Sequence, residues 1–289
     1  MRVTRAVITA AGEKQRHLPL QTLVDRDGQT RALLALLVGS AVEAGIEEVC
    51  VVVCPGDQAA YARALNDLAG RVTFVEQAHP RGYGDAVLRA ASFVGQAPFL
   101  HLIGDHIFIS ASDTTCVQQV MGAASAQECA VSAVVATRES MLPRFGAIGG
   151  RRLAGTSDLF EIERVLEKPT PTEAEQSLVV PGLRAGHYLC FSGLHVLTPA
   201  VMDLLARDAA TLPADATIEL SPALDRLARQ ERYLALEMDG LRYAVDTRYG
   251  LMMAQLALAL SGCDRAEVLA EICTLLAERE LIRSAERAS

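Results

Sequence analysis

The 289 residues contain no CxxC pair, no block of like charges, no internal repeat and no low-complexity linker, and each absence removes a class of function. The seven cysteines (Cys50, Cys54, Cys116, Cys129, Cys190, Cys263 and Cys273) lie mostly in apolar runs, so they read as reduced, buried thiols and not as a metal site or a disulfide framework. Cys50 and Cys54 are spaced for one side of a helix, but the β-branched Val51-Val52-Val53 between them favours a strand. No apolar run approaches the ~18 residues of a membrane span. Met1-Arg-Val-Thr-Arg5 leads straight into an apolar strand without a signal-peptide pattern, and the expected location is the cytoplasm. A formal net charge of -8, spread along the chain, argues against general affinity for nucleic acid or an anionic membrane surface. Phosphate ligands would therefore need a local basic cluster.

What is present is an alternation of strands and helices. Apolar residues make up 51% and charged residues 21%, enough for a large buried core. Ala6 to Ala10 reads as a buried strand, Leu33 to Ala44 as a helix closed by Gly45, and Glu48 to Val53 as the second strand. Helices are predicted over 56–69, 84–94 and 117–127, and strands over 72–75, 99–103 and 129–136. Beyond Arg144 the pattern changes to strands over 145–150, 159–166, 188–197, 233–238 and 241–245, with helices over 199–205 and 221–229. Two Ala/Leu-rich helices near 249–260 and 265–284 follow. The expectation is an α/β fold, its sheet covered by helices on both faces, with one domain over 1–248 and a C-terminal helical extension over 249–289 packed on it.

Five stretches carry chemistry. In Ala6-Val-Ile-Thr-Ala-Ala-Gly-Glu-Lys-Gln-Arg-His-Leu-Pro19 a strand runs into Gly12 and a basic loop, at the carboxyl end of a strand, where ligands of open α/β folds collect. In Gln77-Ala-His-Pro-Arg-Gly-Tyr-Gly-Asp-Ala-Val-Leu88, Gly82 and Gly84 permit close approach to a flat ligand, and Gln77 offers an amide donor and a carbonyl acceptor; a glycine-assisted helix start is the other reading, with Asp85 serving the helix dipole. Asp105, ending Leu102-Ile-Gly-Asp105, either holds a divalent cation or caps a turn, and His106 beside it does not by itself make a metal site. In Val165-Leu-Glu-Lys-Pro169, Glu167 can accept sugar hydroxyls while Lys168 faces a phosphate, or the two form a solvated ion pair. Tyr243-Ala-Val-Asp-Thr-Arg-Tyr-Gly250 brings Asp246 and Arg248 to a helix start, where Asp246 serves as a ligand or as an N-cap.

In order and spacing these stretches resemble the sugar-phosphate nucleotidyltransferases, above all the bacterial UTP:glucose-1-phosphate uridylyltransferases. The resemblance runs from about Arg5 to Ala257 and includes Glu43-Ala-Gly-Ile-Glu-Glu-Val49, with Gln77 to Leu88 its most specific segment and Arg81 in the family's basic place. It implies a Rossmann-like fold with a mixed, mostly parallel sheet, and a reaction that joins UTP to glucose 1-phosphate, forming UDP-glucose and pyrophosphate with Mg2+. It puts the nucleotide base near Ala10, Ala11, Gly12, Gln77 and Gly82, the metal on Asp105, and the sugar phosphate on Gly146, Glu167, Lys168 and Gly193. Arg16 takes the place of the loop arginine that contacts the triphosphate, and Arg16 and Lys168 are the candidate catalytic residues. Homo-oligomers through the C-terminal helices are a further expectation.

The departures cluster in the opening loop. Where the family has Gly-x-Gly-Thr-Arg, this chain has Gly12-Glu-Lys-Gln-Arg16, and Leu20-Gln-Thr-Leu-Val-Asp25 lacks the lysine that usually follows. Lys14 and Arg26 are the candidate replacements. The family's second carboxylate, in Asp-x-Gly, is displaced two residues to Asp246 in Ala244-Val-Asp246, which on a strand keeps it on the same side. A homologue that binds nucleotide or nucleotide sugar without turnover, in a regulatory or partner role, is the alternative.

Overall fold

The apolar run from Ala6 to Ala10 lies inside a nine-stranded sheet, flanked on both sides by strands and covered on both faces. The computed structural model describes residues 1–288, with side chains through residue 279. In chain order the strands are β1 (Arg5–Ala10), β2 (Thr22–Val24), β3 (Thr30–Ala32), β4 (Glu48–Val53), β5 (Val72–Glu76), β6 (Phe99–Ile103), β7 (His106–Ser110), β8 (Ala130–Arg138), β9 (Gly146–Arg152), β10 (Leu159–Glu167), β11 (His187–Leu197), β12 (Tyr233–Glu237) and β13 (Gly240–Ala244). The helices are α1 (Leu33–Glu43), α2 (Gln58–Leu65), α3 (Tyr83–Arg89), α4 (Ala91–Val94), α5 (Cys116–Gln127), α6 (Pro171–Ser177), α7 (Ala200–Thr211), α8 (Leu220–Gln230), α9 (Gly250–Ser261) and α10 (Arg265–Ala288). Among the described residues no helix is long and apolar enough to cross a membrane.

The main sheet runs β5-β4-β1-β6-β11-β8-β12-β10-β9. Its first four strands are parallel, and β4 and β6 flank β1 on opposite sides, so the strand order reverses beside β1. A crevice opens at the carboxyl ends of the strands at such a reversal. The expected mixed sheet is therefore present, and its parallel character belongs to this half. In the other half β11 runs antiparallel to β6, β8 and β9, and β10 antiparallel to β9 and β12, while β8 and β12 are parallel.

Period-two burial divides each central strand between two cores. Val49, Val51 and Val53 of β4 enter one with Leu33, Leu34 and Val38 of α1, while Cys50 and Val52 enter the other with Val87, Leu205 and Leu224. Full burial of a leucine contributes about 2 kcal/mol, so Leu33 and Leu34 anchor the segment that follows the opening loop. Ala254 and Leu258 of α9 join the first core; α10 packs on α9 and exposes Leu269, Leu275 and Leu276.

Several elements differ from the sequence expectation. The helix expected over 56–69 breaks at Asn66, where φ is 50°, into a 3-10 segment, and the helix from Pro199 continues to Thr211. The expected strand near 241–245 pairs antiparallel with β7, an unforeseen strand directly after Asp105. The β2–β3 ribbon and α6 were also unforeseen.

Candidate active site

A cavity of about 810 Å³ opens at the carboxyl ends of β1 and β6 and is closed on the far side by β10, the middle of β11 and the start of α8. Residues from all five sequence stretches line it. Ala10, Ala11, Gly12, Gln77, Gly82, Asp105, Gly146, Glu167, Lys168, Gly193 and Asp246 come together there, and Arg16 does not.

The opening loop is a tight turn, with the Gln15 amide donating to the Gly12 carbonyl at 2.8 Å. It sends Lys14 and Gln15 into the cavity, and Gln15 Nε2 donates to Asp246 Oδ2 at 3.3 Å. Arg16 turns the other way. Its guanidinium forms a two-pronged pair with Asp57, Nε donating to Oδ2 at 2.8 Å, while the Tyr61 hydroxyl donates to the Arg16 carbonyl at 2.8 Å. A planar fork matched to a carboxylate is a strong local tie, so Arg16, expected at the triphosphate, here ties the loop to Asp57 and does not line the cavity. Of the two replacements considered for the missing lysine, Lys14 faces the cavity, whereas Arg26 donates to the Ser261 carbonyl at 3.2 Å elsewhere.

The glycine loop opens α3 and packs against a segment distant in sequence. A Cβ on Gly82, where φ is 102°, would stand 2.5 Å from Thr217 Cγ2, and one on Gly84 would stand 2.9 Å from the Glu219 backbone. The missing side chains of these glycines make room for the 217–219 segment, and Gly82 also borders the cavity. Arg81 holds the chain just before that segment, donating to the Pro213 carbonyl at 2.8 Å and the Ala216 carbonyl at 3.3 Å. Gln77 spends its amide donor on Asp85 Oδ2 at 2.6 Å and the Gly82 carbonyl at 3.2 Å, leaving its carbonyl oxygen as the group for a base edge. Asp85 is fully buried: burial pushes its pKa up, but hydrogen bonds from Arg89 and Gln77 outweigh that and hold it below the usual carboxylate range.

Asp105 and Asp246 reach one cavity through the β7–β13 ribbon. Ala244 pairs with His106, and the Val245 amide donates to the Asp105 carbonyl at 2.9 Å, which carries the chain past Asp105 to Asp246. His106 Nδ1 lies 2.5 Å from Asp105 Oδ1. Among the described residues no group of three or more His, Cys, Asp or Glu side chains surrounds a common point. Two carboxylates fit a hard divalent cation that keeps waters and takes further oxygens from a phosphate ligand.

At the opposite end the side chains are packed as well as polar. Ser221 Oγ donates to Glu167 Oε2 at 2.5 Å, and Lys168 Nζ lies 3.3 Å from Glu167 Oε1. Lys168 holds φ at 47°, a left-handed conformation that costs a non-glycine residue roughly 1–2 kcal/mol, and its amide donates to the Phe145 carbonyl at 3.1 Å. A Cβ on Gly146 would lie 2.6 Å from Ser221 Oγ. Gly193 is at φ 82° in the β11 bulge, and a Cβ there would stand 2.7 Å from Ile103 Cδ1.

Glu219, Ser221, Arg144 and Arg242 also line the cavity and were not singled out in the sequence. Burial and then Glu167 push the Glu219 carboxyl up. Arg242 stacks 4.0 Å over the Phe145 ring and donates to the Phe191 carbonyl at 2.9 Å. A basic residue inside an otherwise apolar strand was the available signal for it. Beneath the cavity, His101 and His195 stack with centroids 5.6 Å apart. Burial drives both below the ordinary histidine range, His195 to about 3, so this layer is uncharged at neutral pH and the charge sits on the walls above it.

The sequence matches the nucleotidyl transferase family over residues 6–251. A UTP–glucose-1-phosphate uridylyltransferase of Streptococcus pyogenes is 29% identical over 288 residues, covering 90% of each chain. One from Streptococcus pneumoniae serotype 4 is 28% identical over 287 residues, covering 90% of this chain and 91% of its own. Among solved structures, a UTP-bound UGPase from Acinetobacter baumannii superposes with a TM-score of 0.72 at 22% identity, covering 94% of this chain and 99% of that one. A UDP-glucose pyrophosphorylase complexed with UDP-glucose gives 0.72 at 21% identity, covering 89% and 98%. These likenesses establish a shared fold, and the family match spans most of the sequence: the chain belongs to the nucleotidyl transferase family.

Proposed function

We propose that this protein is a sugar-1-phosphate nucleotidyltransferase that joins UTP to glucose 1-phosphate, giving UDP-glucose and pyrophosphate. The observation that carries this reading is the convergence of Lys14, Lys168, Asp105 and Asp246 on one cavity large enough for a nucleotide and a sugar phosphate together. The uridylyltransferases that share 29% and 28% of its sequence support the choice of base and sugar.

A phosphate oxygen of the sugar phosphate attacks the α-phosphorus of UTP. The new phosphorus–oxygen bond forms as the α–β bridging bond breaks, and pyrophosphate departs with the electron pair. The work of the protein is to align two anions and neutralise their charge. Ala10, Ala11, Gly12 and Gly82 border the base, and the Gln77 carbonyl accepts from it. Lys14 meets the triphosphate. Lys168 meets the phosphate of the sugar, Glu167 accepts sugar hydroxyls, and Gly146 and Gly193 leave the sugar room. Asp105 and Asp246 would hold Mg2+, which supplies charge neutralisation at phosphate oxygens.

The same reading includes a nucleotidyltransferase unit over 1–248 with a helical extension over 249–289, and homo-oligomers formed through the extension, whose exposed Leu269, Leu275 and Leu276 support it. It includes a cytoplasmic location without nucleic-acid or membrane partners, in keeping with a net charge of -8. Two observations favour a second reading, a homologue that binds nucleotide without turnover: Arg16 is committed to Asp57, and Ala244 stands where the family carries a carboxylate. The test is pyrophosphate release with Mg2+ and each of UTP, ATP, CTP, GTP and dTTP, with and without glucose 1-phosphate. Release with UTP that requires the sugar phosphate is expected. No release from protein that still binds UTP by calorimetry would establish the second reading.

A further inference from the structure

Behind the Phe145 wall of the cavity lies a separate groove of about 440 Å³, lined by Arg144, Arg242, Arg248, Phe145, Tyr249 and Gly250. Three guanidinium groups border it. Arg242 stacks 4.0 Å over the Phe145 ring, Arg144 lies 6.0 Å from the same ring, and Arg248 lies 5.4 Å over Tyr249. Among the described residues none of the three is in an ion pair, whereas Arg16, Arg89, Arg164 and Arg226 each have a carboxylate. Like charges gathered in one concavity repel, and Arg242 registers this: burial first, and Arg144 in the same direction, lower its pKa. An anion in the groove would offset the repulsion. The twelve-residue helix α9 also begins here at Gly250, adding the partial positive charge of its first turn. Aromatic faces behind flat guanidinium groups leave their N–H edges for oxygen acceptors.

We propose that this groove is a second anion site, separate from the reaction cavity, that takes the phosphate groups of a polyphosphate ligand. The inference goes beyond the proposed function and does not depend on turnover. Arg144, Phe145 and Arg242 line both the groove and the cavity, so an occupant of the groove bears on the wall beside the sugar-phosphate end. Arg248 and Tyr249 line the groove alone and are exposed, which makes them separable by mutation.

The test is calorimetric titration of metal-free protein with inorganic pyrophosphate, comparing wild type with Arg248→Glu, Arg248→Ala and Lys14→Ala. Affinity should fall about tenfold or more in Arg248→Glu and less in Arg248→Ala, and stay within about twofold of wild type in Lys14→Ala, because a charge-assisted guanidinium–phosphate contact is lost only in the first two. Equal affinities in wild type and Arg248→Glu would overturn the proposal. So would a loss confined to Lys14→Ala, which would put the anion in the reaction cavity. Adenosine diphosphate in place of pyrophosphate separates the sources. Tighter binding that falls in Tyr249→Ala supports the groove with a nucleotide as occupant, and binding no tighter than pyrophosphate, still lost in Arg248→Glu, supports it with the free polyphosphate.

Discussion

The two ends of the cavity hold their functional groups by different means. At the end around Glu167 and Lys168 each group is also a packing element: Glu167 is held by Ser221, Gly146 fits only because it lacks a Cβ, and Gly193 lies in a bulge where a Cβ would stand 2.7 Å from Ile103. In the opening loop the equivalent constraint is missing, since a Cβ on Gly12 would meet chiefly the flexible end of Gln15, and Lys14 faces the cavity without a partner among the described residues. The loop's fixed point is Arg16 on Asp57, outside the cavity. Where fold and ligand site depend on the same atoms the residue type is dictated by packing; where they do not, a lysine can enter from a neighbouring position.

The largest effect expected from breaking this arrangement is at the bottom, where both ends meet. Asp105→Asn should lower sugar-phosphate-dependent pyrophosphate release by at least about 1000-fold, because an anchored anion that neutralises developing phosphate charge is among the strongest contributors to such catalysis. Steady-state rates within tenfold of wild type would remove Asp105 from the site. Next, Lys168→Ala should raise KM for glucose 1-phosphate by about 100-fold, the loss of a charge-assisted contact, while UTP affinity by calorimetry stays unchanged. Equal weakening of both ligands would place Lys168 elsewhere.

Two stability measurements sharpen the contrast. Gly146→Ala should cost about 1–3 kcal/mol through overpacking against Ser221 and Glu167, and Gly12→Ala about 0.5 kcal/mol or less, read from urea midpoints; similar costs at the two positions would erase the distinction. Asp85→Asn should cost roughly 1–3 kcal/mol at neutral pH, because the buried carboxylate holding Arg89 and Gln77 is lost. The folded-state pKa of Asp85 lies below its unfolded value of about 3.9, so its contribution is present above that value and is lost as pH falls through the folded pKa. The gap between wild type and Asp85→Asn should therefore close in acid, and a gap that persists unchanged at low pH would contradict the role.

Much of this molecule could be read without coordinates. The continuous apolar runs of β1, β4 and β6 show their burial on both faces, and ten of the eleven residues named for nucleotide, sugar phosphate, metal and catalysis other than Arg16 lie at strand ends or in the loops that adjoin them, where the cavity forms. What escaped was set by partners distant in sequence. Gly82 and Gly84 advertise a close approach, but that Ile218 and Glu219 make it is decided by a segment some 135 residues away, as with Arg81 and Ala216. The β7 strand needs β13 to exist, and five residues after an Asp give no hint of that pairing. The α6 helix did carry a local signal: Thr170 and Glu173 form a reciprocal cap around Pro171.

The most direct measurement is kcat/KM for UTP, from pyrophosphate release at saturating glucose 1-phosphate and Mg2+, for wild type, Lys14→Ala and Arg16→Ala. If Lys14 serves the triphosphate and Arg16 serves the loop, the first variant should lose about tenfold or more and the second less than about threefold. A loss in Arg16→Ala with Lys14→Ala unimpaired, or no sugar-phosphate-dependent release by wild type, would contradict it.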